Sequence, residues 1–270
     1  MFLFSCQKEI SFDLPQDNDP VGNQNGNLLV KALQITLNSN DTNVLGLKWN
    51  AANRLIEYTT NGVVNGFPTK ATHQFIRSAD NKILEVISST ALQGTIMDSA
   101  RFKVYYQPGT NHLSYVTGTQ YSFLGEIKDS SIFEYNGNGQ VISKEIFVDF
   151  WGSMDPSRKE TYEWDGNGNC IKINKFEFNG MAYEPSGTST LSYSNHKSMV
   201  TLGEESFIVF DASSASVNHG AQVVMDTPNG TSTLTYSNEV FNSFDRPTEI
   251  SVSVTPIPPG YQQKLIMYYE

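Results

Sequence analysis

The sequence predicts an all-β fold, an antiparallel meander of repeated hairpins rolled into a large barrel or strongly curved sheet. Three observations carry that prediction. Hydrophobic residues make up 39% of the chain and aromatics 12%, with Thr, Val, Ile, Tyr and Phe abundant and no Ala/Leu/Glu/Lys-rich helical blocks, which is the palette of half-buried pleated strands. Two passages, Glu134-Tyr135-Asn136-Gly137-Asn138-Gly139-Gln140-Val141-Ile142 and Glu163-Trp164-Asp165-Gly166-Asn167-Gly168-Asn169-Cys170-Ile171, nearly repeat each other 29 residues apart, an internal repeat that implies a repeated structural unit. Polarity alternates along Ile250-Ser251-Val252-Ser253-Val254, the period of a strand with one wet face.

The repeat generalises to a template: an aromatic anchor, polar turn residues, then apolar positions six and seven residues on. Trp49 leads to Leu55 and Ile56, Arg77 to Ile83 and Leu84, Tyr106 to Leu113, and Tyr193 to Met199 and Val200. The anchors fall at 49, 77, 106, 135, 164 and 193, in steps of 28 or 29. A weaker copy starts at Phe241, 48 residues after Tyr193, which places an inserted or degenerate unit around Phe207 to Asn229. Asn-Gly and Asp-Gly supply the positive φ of tight reversals, so each copy reads as a hairpin. Seven or so hairpins give roughly 12–16 strands, and twisted open sheets rarely exceed about ten without curling or closing. Closure removes exposed edges. Glu145-Ile146-Phe147-Val148-Asp149-Phe150-Trp151 carries apolar residues on both faces and is expected to be covered on both sides.

The chain has 270 residues, enough to bury a core as one large all-β domain over 27–270. Its start, Met1-Phe2-Leu3-Phe4-Ser5-Cys6, resembles a bacterial lipobox, in which a small residue precedes the cysteine that is acylated on sulfur. Cys6 is the expected lipid attachment site, residues 1–6 the remnant of a lipoprotein signal, and residues 7–26, polar and rich in Asp, Asn, Pro and Gly, a flexible tether. A full signal carries an apolar stretch of about 7–15 residues, so the remainder is expected upstream. No run approaches the about 18 apolar residues of a spanning helix, which makes the N-terminal lipid the expected membrane contact. Cys170, with no nearby His, reads as a buried, unreactive thiol.

With Tyr-Asn-Gly-Asn-Gly-Gln-Val-Ile and Trp-Asp-Gly-Asn-Gly-Asn-Cys-Ile at hairpin spacing behind a lipobox-like cysteine, the chain resembles a family of Bacteroidota lipoproteins of unknown function with a porin-like fold. Its hairpins also look like the tyrosine-aspartate repeats of large secreted shell-forming proteins, which use a shorter period. The resemblance covers roughly 27–270. It implies a cell-envelope location at the outer membrane and a rolled antiparallel sheet, and implies no activity. Arg158-Lys159-Glu160-Thr161-Tyr162-Glu163 places charges on both faces of a strand, unlike a lipid-facing porin strand, so a porin-like but soluble barrel is expected.

Charge and motifs narrow the function classes. Lys and Arg number 18 against 28 Asp and Glu, which leaves no basic surface to neutralise phosphates, and nucleic acid is not an expected partner. Asp165-Gly166-Asn167-Gly168-Asn169 mimics the opening of a calcium loop, but position six is Cys170 instead of Gly and position twelve Phe176 instead of Glu, so a hairpin turn is the better reading. His73, His112, His196 and His219 have no metal-ligating spacing. No nucleophile elbow or phosphate-binding loop occurs. No cofactor, metal or catalytic residue is therefore assigned.

Exposed aromatic faces stack on sugars, and Trp151, Trp164 and Tyr135 are the candidate ligand-binding residues, with core packing the weightier alternative for strand aromatics. Trp151 borders the irregular 151–157 connection, where binding residues tend to be displayed. The expected function is that of a non-catalytic envelope lipoprotein, a binding or structural module whose partner is a glycan or an envelope protein. The rivals are a glycan hydrolase, which needs two close carboxylates in a cleft, and a lipid carrier, which needs an apolar lumen. Far-UV circular dichroism of the purified protein is expected to be dominated by β-structure, and a substantial helical signal would refute the hairpin reading.

Overall fold

The computed structural model describes residues 28–37, 42–64, 67–122, 125–149, 152–200, 202–209, 212–256 and 262–270. Cys6, the 7–26 tether and Trp151 lie outside the described residues. The chain forms β1 (Leu29–Thr36), β2 (Thr42–Trp49), β3 (Leu55–Val64), β4 (Phe67–Arg77), β5 (Ile83–Leu92) and β6 (Thr95–Tyr106). It continues through β7 (Leu113–Ser122), β8 (Gly125–Tyr135), β9 (Val141–Asp149), β10 (Met154–Trp164), β11 (Cys170–Phe178) and β12 (Tyr183–Lys197). A non-strand segment over 198–217 holds 3-10 turns at Gly203–Glu205 and Ala212–Ala215 and one helical turn, α1 (Ser206–Val209). The chain ends with β13 (Asn218–Thr227), β14 (Gly230–Phe241), β15 (Pro247–Thr255) and β16 (Gln262–Tyr269).

Each strand pairs antiparallel with its sequence neighbours, and β1 pairs with β16, so the sheet closes into a sixteen-strand barrel. Strand count reaches the top of the expected range. The anchors lie at the ends of the even-numbered strands, Tyr193 alone falling four residues before the end of its strand, at one end of the barrel, called here the base, where Leu28 and Glu270 also meet through backbone bonds of 3.1 and 2.9 Å. The opposite end is the mouth.

Local chemistry builds the base turns. In 136–140 the Asn136 N–H donates to Gln140 O at 3.0 Å and the Gly139 N–H to Asn136 O at 3.1 Å. Asn136 Oδ1 accepts the N–H groups of Asn138 and Gln140, both at 3.0 Å. Asp165, Asn50 and Asn242 cap their turns in the same way. This is a three-residue hairpin loop, a type I turn followed by a left-handed residue. The left-handed residue is the glycine of the second step, Gly139 of Asn138-Gly139 at φ 77° and Gly168 of Asn167-Gly168 at φ 85°, so Asn-Gly supplies the positive φ as expected, while Gly137 and the Asp-Gly glycine Gly166 do not carry it. Asn53, Asn81 and Asp245 take that place at φ 57°, 65° and 65°.

The turn geometry forces a bulge, and the bulge explains the template. Tyr135 pairs with Val141 and Glu134 with Ser143, leaving Ile142 as the extra residue. A bulge re-aims side chains, so the first apolar position points inward while the second is turned outward. Leu55, Ile83, Leu113, Val141 and Cys170 are at most 1% exposed, whereas Leu84 and Ile142 are 48% and 36% exposed. Together with Leu29 they form a buried ring inside the base.

Anchor side chains cross to the backbone of the neighbouring base turn, most of them donating to its ring carbonyl. Trp49 Nε1 donates to Leu29 O at 2.8 Å, Tyr135 OH to Leu113 O at 3.0 Å, Trp164 Nε1 to Val141 O at 2.7 Å and Tyr193 OH to Cys170 O at 2.6 Å. Tyr269 OH donates to Pro247 O at 2.8 Å, and Tyr106 OH accepts the Ile83 N–H at 3.0 Å. Arg77 performs the same task with Nε and Nη2, at 2.9 and 2.7 Å from Leu55 O. These bonds form a girdle. Tyr269, which closes it, lies 28 residues after Phe241 and completes the series of anchors.

Outside the barrel, cross-strand ion pairs join Lys48 to Glu57 at 2.6 Å, Lys172 to Glu163 at 3.1 Å and Lys264 to Glu249 at 2.7 Å. Ile76, Leu84, Tyr105, Tyr115 and Ile132 form an exposed apolar stripe near the base, interspersed with Glu85, Lys103 and Glu134. That surface is not the continuous apolar band, about 25 Å tall, of a lipid-spanning barrel. The expectation that β9 is covered on both sides is corrected: the wall is a single sheet, with Ile146 and Val148 on the lumenal face and Phe147 on the outer one.

The bulge makes a sharp prediction for two adjacent residues. Ile83→Ala is expected to cost about 2–5 kcal/mol by removing buried volume, whereas Leu84→Ala is expected to stay within about 0.5 kcal/mol as an exposed change. Urea denaturation of the two variants measures the difference, and equal losses would refute the inward–outward assignment.

Candidate functional site

The insertion anticipated around Phe207 to Asn229 lies over 198–217, before β13, and it folds into the base as a plug. Its neck closes through the Ser198 N–H to Val217 O at 3.1 Å. Leu202 and Phe207 are 8% and 5% exposed. The Phe207 ring meets Tyr162 edge-on at 5.0 Å and Phe133 at 6.5 Å, and Trp164 at a tilt, also at 6.5 Å.

Two adjacent carboxylates latch the plug to the girdle. Glu205 takes a two-pronged ion pair from Arg77, with Nη1 to Oε1 at 2.7 Å and Nη2 to Oε2 at 2.8 Å, and the Arg77 side chain is 5% exposed. Glu204 contacts His112 Nδ1, accepts the Leu113 N–H at 3.2 Å and accepts Tyr135 OH at 3.0 Å. Burial, together with the Glu204 carboxylate, pushes the Tyr135 phenol far above its ordinary range. On the far side of the plug, Ser216 Oγ accepts the Cys170 N–H at 3.0 Å and donates to Tyr193 OH at 2.8 Å.

The candidate residues read from the sequence fall unevenly. Tyr135 and Trp164 come together beside the plug, with OH and Nε1 committed to Leu113 O and Val141 O. Trp151 and Cys6 are not described. The Asp165 carboxylate caps its own turn, with Oδ1 accepting from Asn167 and Asn169 and Oδ2 from Asn169 Nδ2 at 3.0 Å. Cys170 is fully buried in the ring. His73 contacts Ser88 Oγ at 2.8 Å and His112 holds Glu204, whereas His196, 2.6 Å from Asp245, and His219, 3.2 Å from Glu239, both pack against the Phe241 ring, at 3.7 and 6.5 Å between centroids.

Cavities remain on both sides of the plug. Between plug and base turns lies one of about 270 Å³, lined by Arg54, Asp80, Lys82, Tyr106, Glu204 and Glu205, in which both glutamates already hold the plug. Beside the plug neck, Leu29, Leu45, Leu191, Met199, Val223 and Tyr236 line an apolar cavity of about 240 Å³ that also touches His219. On the mouth side, one cavity of about 200 Å³ has Phe207 and Ile208 of the plug among its lining residues, together with Phe102, Phe133, Asp129, Lys144 and Arg158. A larger one of about 470 Å³ adjoins it at Phe102 and runs past His73, Ser88, Asp98 and Gln120.

The electrostatics of the mouth side follow from burial. Desolvation lowers the Lys144 ammonium below its ordinary range and raises the Asp129 carboxylate above its own. His73 is lowered by the same cause, with its ring stacked on Tyr58 at 4.2 Å. Gly118 lies under the Phe102 ring, where an added Cβ would come within 2.0 Å of a ring carbon, so this wall needs a residue without a side chain. Alternation did not reveal Lys144: the bulge at Ile142 shifts the inward set of β9 from Val141 to Lys144, Ile146 and Val148.

No protein-family pattern matches the sequence, and no curated protein matches it. Among solved structures, a porin-like protein from Bacteroides uniformis ATCC 8492 aligns with a TM-score of 0.58 and 11% identity, over 90% of this chain and 98% of that one. A porin-like protein from Bacteroides vulgatus ATCC 8482 aligns over 90% of this chain and 99% of that one, at 12% identity and a TM-score of 0.41. At such identities the first likeness bears on the fold alone. The molecule is a closed antiparallel barrel of porin-like architecture.

The latch yields a stability prediction. Arg77→Met is expected to cost about 3–5 kcal/mol, because it leaves the Glu205 carboxylate partly buried without its cation. A thermal denaturation midpoint unchanged from the wild type would refute the latch.

Proposed function

We propose that this protein is a non-catalytic, lipid-anchored module of the cell envelope that receives a small ligand in the mouth-side half of a blind barrel. One observation carries the reading: the plug packs into the base against Phe133, Tyr162 and Trp164, which supports a lumen that ends blind instead of a through channel. Lumenal side chains of β8 become more exposed toward the mouth, from Phe133 at 5% to Ile127 at 37%, as the wall of a cup requires. Apolar and aromatic walls with a few convergent polar groups are the usual composition of a ligand site.

The lipobox-like Leu3-Phe4-Ser5-Cys6 supports anchoring through Cys6. Leu28 sits at the base, so a tether from Cys6 would join the barrel at the end opposite the mouth. Lipid carriage is a second reading, favoured by the apolar cavity of about 240 Å³ beside the plug neck.

Ser131, which lines the cavity on the plug floor, gives the test. A panel of small sugars, amino acids and organic acids is expected to contain members that raise the melting temperature of the wild type but not of Ser131→Phe. Ligand at 100 times Kd stabilises by about 2.7 kcal/mol. No shift across the panel would overturn ligand binding in favour of a scaffold. Loss of fatty-acid labelling in Cys6→Ser, measured in a bacterial host, checks the anchor separately.

A further inference from the structure

We propose that the cavity on the plug floor binds a small organic carboxylate, with Lys144 and Arg158 holding the carboxylate and Phe102, Phe133 and Phe207 receiving its apolar body. The inference rests on the blind-cup reading above and names the ligand class of that same site.

The two cations are lumenal neighbours on adjacent strands. Lys144 pairs with Glu160 and Ile146 with Arg158 across β9 and β10, and both side chains line the same cavity. Lys144 Nζ donates to Phe207 O at 3.2 Å and lies 5.9 Å from the centre of the Phe133 ring. An ammonium carries three donors, so one carbonyl leaves it undersupplied. Arg158 has no hydrogen-bond or ion-pair partner among the described residues.

Asp129 and Glu160 act on Lys144 at longer range, and neither closes an ion pair with it. Asp129 Oδ2 accepts from Gln120 Nε2, and Glu160 Oε2 accepts Tyr162 OH at 2.6 Å. No ion pair within 4.0 Å among the described residues includes Lys144 or Arg158. Burial disfavours the Lys144 ammonium, and an arriving carboxylate would offset that cost while also accepting from the exposed Arg158. Lys144 and Arg158 supply the donors of this cavity that an anion would engage, beside the Asp129 carboxylate whose charged form burial disfavours.

Size and lining fix the rest of the ligand. At about 200 Å³, the cavity is smaller than the roughly 300–1,000 Å³ of drug-sized sites and suits one ring or a short chain that stays clear of the larger cavity adjoining at Phe102. Three phenylalanines and the floor residue Ile208 favour an apolar body over a sugar.

Phenylacetate is the probe, with benzyl alcohol, phenethylamine, acetate and inorganic phosphate as controls in isothermal titration of the full protein. Phenylacetate is expected to bind at least tenfold more tightly than any control. Arg158→Gln, an exposed position with no partner to lose, and Lys144→Met are each expected to weaken phenylacetate at least tenfold without changing near-ultraviolet circular dichroism. Equal binding of benzyl alcohol or phenethylamine, equal binding of inorganic phosphate, or unchanged affinity in Arg158→Gln would overturn the proposal. If sugars or amino acids bind and Ser131→Phe blocks them while phenylacetate does not bind, the carboxylate assignment fails and the blind cup stands. If nothing binds, both fail.

Discussion

Everything in this barrel hangs on one recurring contact, the bond from an anchor side chain to the ring carbonyl of the neighbouring base turn. Such a bond satisfies a carbonyl beside a fully buried apolar residue, where an unpaired acceptor would cost about 1–3 kcal/mol. It also ties each hairpin to the next along the girdle. A meander is otherwise held together by strand pairing alone, and the girdle adds a second ring of connections at the end where β1 meets β16. Tyrosine, tryptophan and arginine can all serve because each places a donor at the end of a long, largely apolar reach.

Arg77 shows how the girdle is coupled to the plug. A phenol or indole can satisfy a ring carbonyl, but only a guanidinium has donors enough to do so and also grip a carboxylate with two prongs. Arg77 bonds Leu55 O and Glu205 together. The repeat therefore departs from an aromatic where the inserted segment needs a latch. Tyr135 achieves a similar double duty with one oxygen shared between Leu113 O and Glu204. The plug in turn converts a porin-like shell into a cup, with Phe207 and Ile208 as part of the floor against which the lumenal cations sit.

Much of the fold was legible in the sequence because its signals are local. A turn of five residues, an anchor before it and a buried residue after it repeat every 28 or 29 positions, and each element is fixed by backbone and capping chemistry within a few residues. The site was less legible. Tyr135 and Trp164 stood out as aromatics, yet their polar atoms serve the girdle. Lys144 and Arg158 did not stand out, since a lysine and an arginine in a charged strand look like any solvated face.

The sequence by itself determined the hairpin repeat, the turn residues and the positions of the anchors, and it bounded the strands at roughly 12–16, because these features join residues close along the chain. Only the tertiary structure decided which way Lys144 faces, because the bulge at Ile142 breaks the alternation from which facing is read. It also decided where the plug goes. The contacts that hold it join Arg77 to Glu205, 128 residues apart, Leu113 to Glu204, 91 apart, and Lys144 to Phe207, 63 apart. No period in the chain encodes such distances, and they become neighbours only when sixteen strands close on themselves.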